Sequence, residues 1–109
     1  MEKINFKNYG EQITELWQPY DICYVNETAL RIAKIKGTYQ WHVHKQEDEF
    51  FFVISGRIHI DTEVETVTLN PGEGFLVKKG MRHRSRSEGV SVILLIEPIK
   101  TKTKGEELE

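Results

Sequence analysis

The segment Trp41-His42-Val43-His44 sets two imidazoles two residues apart, and Glu49 follows five residues after His44. His83 lies much farther along, three residues past Gly80. On a β-strand, residues i and i+2 point to the same face. His42 and His44 are therefore expected side by side, with Trp41 and Val43 turned the other way. Two neutral imidazoles and a carboxylate suit a divalent first-row metal, and a third imidazole completes such a site. A six-coordinate ion held by three or four side chains keeps open positions. Water, a substrate oxygen or, on Fe(II), dioxygen can bind there. Burying Glu49 without a partner would be costly, and a cation removes that cost. His59 differs, because it alternates with Ile58 and Ile60 beside Arg57 and Asp61. It is expected to face solvent and is not counted as a ligand.

These donors need a rigid frame. From Asp21 onward the chain reads as short apolar runs separated by turn chemistry, with strands expected at 22–25, 29–35, 39–43, 49–54, 57–61, 65–69, 74–77, 83–87 and 90–96. Asn26-Glu27, Lys36-Gly37, Ser55-Gly56, Asn70-Pro71-Gly72, Lys79-Gly80 and Glu88-Gly89 supply the turns. Strands at this spacing predict an all-β sandwich or barrel. Residues 1–20 form a separate N-terminal segment. A short helix is expected over 9–17, with Ile13, Leu16 and Trp17 on one face, Asn8 as its cap and Pro19 as its end. The barrel is expected over 21–99, followed by a frayed tail over 100–109. The runs 50–54 and 92–96 are apolar on both faces. A half-exposed antiparallel strand alternates, so these strands need cover from a second sheet, the N-terminal segment or a partner subunit. A homodimer follows as one expectation.

A chain of 109 residues fits one domain with a real core. Its net charge of −2 argues against a nucleic-acid or anionic-membrane partner. Cys23 is alone, so no intrachain disulfide is expected. The N-terminus lacks the apolar stretch of a signal peptide, and no run is long enough to span a bilayer. A cytoplasmic location is the expectation.

The full spacing resembles the two signature motifs of the cupin superfamily. Gly37, His42-x-His44, Glu49 and Gly56 match the first motif, and Gly72, Gly80 and His83 match the second. Lys78 stands where the family usually has Pro, and Ser87 where it often has Asn. Neither departure removes a ligand. The resemblance implies a jelly-roll β-barrel of two packed antiparallel sheets. It also implies one divalent metal, iron, manganese, nickel, copper or zinc, held by His42, His44, Glu49 and His83. With Glu49 inward, Phe51 and Val53 share its face and are expected to line the pocket. Arg82, Arg84 and Arg86 share a face near His83, where they are candidates for an anionic substrate at the barrel mouth or for a solvated edge. The implied function is a small metal-dependent isomerase or dioxygenase with a small-molecule substrate, in chains similar to those called mannose-6-phosphate isomerase-like. The alternatives are a non-catalytic binding or sensing cupin and a structural dimer with a vestigial site. Tyr24, Tyr39 and the arginines are acid–base candidates only by reach.

Overall fold

The computed structural model describes residues 3–103 and 105. One helix, α1 (Phe6–Gln12), precedes seven strands. These are β1 (Tyr20–Val25), β2 (Thr28–Thr38), β3 (Glu49–Ser55), β4 (Ile58–Thr62), β5 (Thr66–Leu69), β6 (Gly74–Val77) and β7 (His83–Pro98). All pairings between them are antiparallel. The order is β1-β2-β7-β3-β6, with β4 joined to β5 and β7.

The architecture turns on β7. The sequence predicts two strands there, broken at Glu88-Gly89. The structure has one 16-residue strand that changes partners along its length. Its first part, His83 to Arg86, pairs with β4, and its later part, Val92 to Ile96, pairs with β3. β2 follows it on the other side, with a register shift between Ile35 and Gly37. One bent strand thus serves both layers of the jelly roll. Inward residues from both layers meet in one core that includes Ile35, Phe51, Val53, Ile58, Ile60 and Ile93.

Gly56 holds the β3–β4 corner. Its φ of +85° suits glycine, and a Cβ there would sit 2.8 Å from the Ser91 Cα. Ser91 Oγ in turn accepts the Arg57 amide at 3.1 Å.

The helix forms earlier than the sequence pattern predicts. Asn5, not Asn8, caps it, and Asn5 Oδ1 accepts the Asn8 amide at 3.0 Å. Gly10 lets α1 lie against β7, because a Cβ there would come within 2.8 Å of Val92 Cγ1. Ile13 then packs with Ile32 and Val92, which covers part of the second apolar face. Trp17 lies outside the helix with a φ of +62°. Its amide binds Lys34 O at 2.8 Å and its indole Nε1 binds Lys36 O at 2.9 Å. Tertiary hydrogen bonds to β2 therefore override the helical periodicity of 9–17.

The described part of the C-terminal segment packs on the barrel. Thr101 is buried, and its carbonyl accepts from Arg31 Nη1 at 2.8 Å. Among the described residues, no helix is long and apolar enough to cross a membrane.

Candidate metal centre

His42 and His44 do not sit on a regular strand. The 39–43 strand expected from sequence is reduced to a bridge between His42 and His83. The bridge is a reciprocal pair, His42 N to His83 O at 3.0 Å and His83 N to His42 O at 2.9 Å. It places a histidine of the first motif directly opposite the histidine of the second. His42 and His44 reach the same cluster as expected, Trp41 lies against Arg82 and Arg84, and Val43 is buried as well.

The structure brings His42, His44, Glu49 and His83 together, with one donor atom from each lying within 4.8 Å of all the others. Glu49 enters from the first residue of β3 and His83 from the first residue of β7. His83 Nε2 lies 3.4 Å from Glu49 Oε1, and His44 Nε2 lies 3.6 Å from the same oxygen. Ligands about 2.1 Å from one ion lie about 3.0–3.4 Å apart, depending on whether it is six- or four-coordinate. All four side chains are buried.

Hydrogen bonding fixes which nitrogens face the cluster. His42 Nδ1 meets the Gln40 carbonyl at 3.0 Å, and His83 Nδ1 meets the Met81 carbonyl at 2.9 Å. A carbonyl only accepts, so Nδ1 carries the proton and Nε2 presents a lone pair. Burial, with repulsion among the imidazoles, pushes His42 and His44 down to about 4. Burial also lowers His83. All three are then neutral near pH 7, as metal ligands must be. His44 Nε2, His83 Nε2 and Glu49 Oε1 are buried without a hydrogen-bond partner. Three converging, orphaned acceptors are costly unless a cation joins them. The donor set therefore fits a divalent metal.

Phe51 lines a cavity of about 40 Å³ above the cluster, together with Trp17, Tyr39, Leu95, His42 and Glu49. The Trp17 and Tyr39 rings stack at 5.0 Å. Val53 is fully buried in the core and does not line this cavity. The arginines lie elsewhere. His83, Ser85 and Ser87 take the buried face of β7, which turns Arg84 and Arg86 outward. Both bind Asp61, Arg84 Nε at 2.8 Å and Arg86 Nε at 2.9 Å. Arg82 and Arg84 also flank the Trp41 ring at 4.7 and 4.9 Å. An anion bound at these arginines would sit outside the barrel and compete with Asp61. His59 is engaged on that outer side with Thr68 at 2.8 Å and Glu88 at 3.0 Å.

Two charged residues that matter here escaped the spacing argument. Phe50 pairs with Ile96, so Glu49 on β3 stands level with Glu97 on β7. Glu97 is 2% exposed and takes Arg31 Nη1 on its Oε2 at 2.5 Å. Burial pushes Glu97 up to about 9, with Glu49 adding to the rise and Arg31 opposing it. Burial also raises Glu49, against the pull of Glu97 and Arg31. The sequence signal was a single charge ending the apolar run 92–96, and a single arginine inside the apolar run 29–35.

A family model for the Cupin domain matches residues 31–97. The chain is 33% identical over 100 residues to the uncharacterized protein YdbB of Bacillus subtilis, covering 91% of this chain and 88% of YdbB. The chain belongs to the cupin family. A cupin-2 domain protein from Shewanella frigidimarina superposes with a TM-score of 0.84 at 30% identity, covering 87% of this chain and 93% of the other. A Neisseria meningitidis protein gives 0.80 at 34% identity, covering 89% and 99%. Hydroquinone 1,2-dioxygenase from Sphingomonas sp. TTNP3 shares the fold, with a TM-score of 0.74 at 16% identity over 86% and 72% of the two chains.

Proposed function

We propose that this protein is a metal-dependent cupin enzyme whose His42, His44, Glu49 and His83 hold one divalent ion, and that it acts as a dioxygenase on a small uncharged apolar or aromatic molecule. The observation that carries the reading is the cavity. Its lining includes Trp17, Ile35, Tyr39, Phe51, Ile93 and Leu95 beside His42 and Glu49. Among the described residues, no lysine or arginine lines it. A sugar phosphate has no counter-charge there, so the isomerase alternative is disfavoured. The hydroquinone dioxygenase shares the fold, which is compatible with this reading and does not carry it.

When bound, the metal would polarise a ligating substrate oxygen and, as iron, supply redox chemistry with dioxygen. The chain's own residues do the rest. Gln40 and Met81 carbonyls orient two of the imidazoles. Glu49 brings the anionic ligand. The stacked Trp17 and Tyr39 rings and Phe51 exclude water and offer faces to a planar substrate. The cavity of about 40 Å³ holds a few waters or dioxygen. A ring needs more room than this volume gives, so the lining side chains adjust to admit one. That small volume also favours the alternative of a non-catalytic metal-binding cupin.

The test is elemental analysis of untagged protein, followed by oxygen uptake of the iron-loaded form on hydroquinones and catechols. Mannose 6-phosphate isomerisation runs alongside. Turnover of a phenolic substrate that vanishes in His42→Ala/His44→Ala is expected. Metal uptake with no oxygen consumption across the panel moves the reading to the binding cupin. A self-association surface is proposed on the outer face of β3 and β6, where Phe50 and Phe52 of β3 are half-buried and Leu76 of β6 is 40% exposed. A dimer mass by light scattering is expected, and a monomer mass at micromolar concentration refutes it.

A further inference from the structure

The cavity of about 40 Å³ is smaller than the roughly 150 Å³ that holds a benzene ring, so part of its wall must give. Most of that wall is locked. Ala33 and Ile35 lie on β2, Phe51 on β3, and Ser85, Ile93 and Leu95 on β7, all inside paired ladders. Trp17 is fastened to β2 by its amide at 2.8 Å and its indole at 2.9 Å, and the Tyr39 amide binds Ser85 O at 2.9 Å. Pro19 leads directly into β1. Thr103 differs. It lines the same cavity, yet it is exposed, and among the described residues it makes no hydrogen bond. The segment that carries it is fastened on both sides. Before Thr103, Arg31 Nη2 binds Ile99 O at 2.5 Å, Arg31 Nη1 binds Thr101 O at 2.8 Å, and the Ile99 amide binds Glu27 O at 3.0 Å. Beyond it, the Gly105 amide binds Lys102 O at 2.9 Å. Gly105 has a φ of +68°, and a Cβ there would sit 2.5 Å from Val43 O and 3.0 Å from His42 Cδ2. Lys102 and Gly105 also line a separate cleft with His44 and Glu47, so the segment divides two openings beside the ligand cluster.

We propose that Thr103 is a specificity-determining residue, held over the cavity mouth by a strap fastened at Arg31 and Gly105, and that it sets the size of the molecule that reaches the cluster. The inference rests on the reading of this cavity as the substrate site. Enlarging the cavity at β2, β3 or β7 breaks ladder hydrogen bonds or opens the core, and each lost bond or buried contact is costly. Turning the Thr103 side chain away breaks no hydrogen bond among the described residues, and its surface is already in water. The strap itself stays seated, because its anchors are at Ile99, Thr101 and Gly105. The residue that yields is therefore small, uncharged and β-branched. Its methyl and hydroxyl add no charge to the apolar wall, in keeping with a neutral ligand. Size at this one position then decides how large a ring enters.

The experiment uses the full-length chain with Trp41→Phe, which leaves Trp17 as its one indole. Acrylamide quenching of Trp17 fluorescence in the metal-free protein reports access to the cavity. Hydroquinone and 2-naphthol, one ring and two, are then titrated into the Co(II)-loaded protein and followed by its visible spectrum. Thr103→Gly is expected to increase quenching and to improve binding of 2-naphthol relative to hydroquinone by about 10-fold or more, the scale on which a pocket reads one methylene. Thr103→Phe is expected to reduce both. Thr103→Val keeps the shape and removes the hydroxyl, so it is expected to match the parent in both. The proposal is overturned if Thr103→Gly and Thr103→Phe leave quenching and the binding ratio at parent values. It is also overturned if Thr103→Val shifts the ratio as far as Thr103→Gly does, since the hydroxyl would then be the cause. A parent protein that takes up no Co(II) overturns the metal reading, and Co(II) uptake with no response to either phenol overturns the substrate reading. In both cases the quenching series still decides whether Thr103 guards the cavity, with an unchanged series refuting it.

Discussion

Glu49→Gln should change the stability of the metal-free and metal-loaded protein in opposite directions. In the metal-free protein Glu49 is buried beside Glu97, and burial raises both carboxyls. An amide at position 49 has no charge to desolvate and brings a donor to buried oxygens that lack one. One satisfied buried acceptor contributes about 1 kcal/mol. For a chain of 109 residues the entropy of unfolding is about 0.23 kcal/mol per degree, so the metal-free variant should melt about 4 °C higher than wild type. Metal reverses the order. At free metal of 100 times Kd, binding stabilises wild type by about 2.7 kcal/mol, or about 12 °C. If the substitution weakens binding a hundredfold, the same free metal gives the variant only about 0.4 kcal/mol, or about 2 °C. The assay is thermal unfolding of both proteins with chelator and with Co(II) or Zn(II). Damage to packing lowers both curves, so it cannot produce this crossing. A metal-free variant that melts several degrees lower while keeping the full metal shift refutes the reasoning, because Glu49 would then be a structural ion-pair partner.

Metal-free stability should also fall in acid. His42 and His44 are held at about 4 by burial, against 6.5 unfolded, so the unfolded chain binds more protons between those values. Stability drops as pH falls from 6.5 toward 4, at about 1.4 kcal/mol per unit for each imidazole. Glu97, raised to about 9, acts in the other direction, with its contribution complete below 4.5 and lost as pH rises toward 9. Melting curves in chelator across this range should show a maximum near neutrality, and a flat acid limb refutes the assignment. Asp61→Asn should cost about 1–2 kcal/mol. Arg86, then Arg84 and Thr66, hold the Asp61 carboxyl well below its usual range against burial. Metal content should not change, because this cluster is on the outer face of β4 and β7. Gly56→Ala should cost more than about 2 kcal/mol, since its φ is +85° and its Cβ would meet the Ser91 backbone. Gly89→Ala, with nothing within 4 Å of its Cβ, should change the melting temperature by a degree or two.

The ligands were legible because the motif spacing encodes a backbone fact. His42 and His83 come together through one reciprocal pair of backbone hydrogen bonds, and Glu49 through the first residue of β3. The strand list was legible for the same reason that turn residues are, since glycine and asparagine fix the corners. What local pattern could not show was pairing. The 39–43 run has strand-like side chains but no long partner, so only a bridge survives. The 83–87 and 90–96 runs look separate because Glu88-Gly89 resembles a turn, yet β2 pairs on both sides of it. The helix shifted toward the N-terminus because Trp17 has better partners on β2 than in a helix. Glu97 was hidden because its meaning depends on cross-strand register, which a single sequence does not state.

Register also decides the kind of ligand this barrel should accept. The same alternation that turns His83, Ser85 and Ser87 inward turns Arg84 and Arg86 out to Asp61. The ionisable groups beyond the imidazoles are Glu49, its neighbour Glu97, and the Arg31–Asp21 ion pair behind them. Asp21 balances Arg31, and burial raises Glu97 to about 9 and so keeps it neutral near pH 7, which leaves Glu49 as the anionic ligand for a divalent ion. A loaded centre of this kind keeps a single net positive charge, and the rest of its cavity is mostly apolar. An anionic ligand would have to give up its water against an apolar wall that offers no lysine or arginine, with the metal alone to attract it. A neutral phenol offers an oxygen to the metal and a ring face to Trp17, Tyr39 and Phe51. In the Co(II)-loaded protein, hydroquinone should perturb the visible spectrum at millimolar concentration, and mannose 6-phosphate should leave it unchanged. The reverse pattern would mean that a cation reaches the cavity by a route other than Arg82, Arg84 and Arg86, and the neutral-substrate argument would fall.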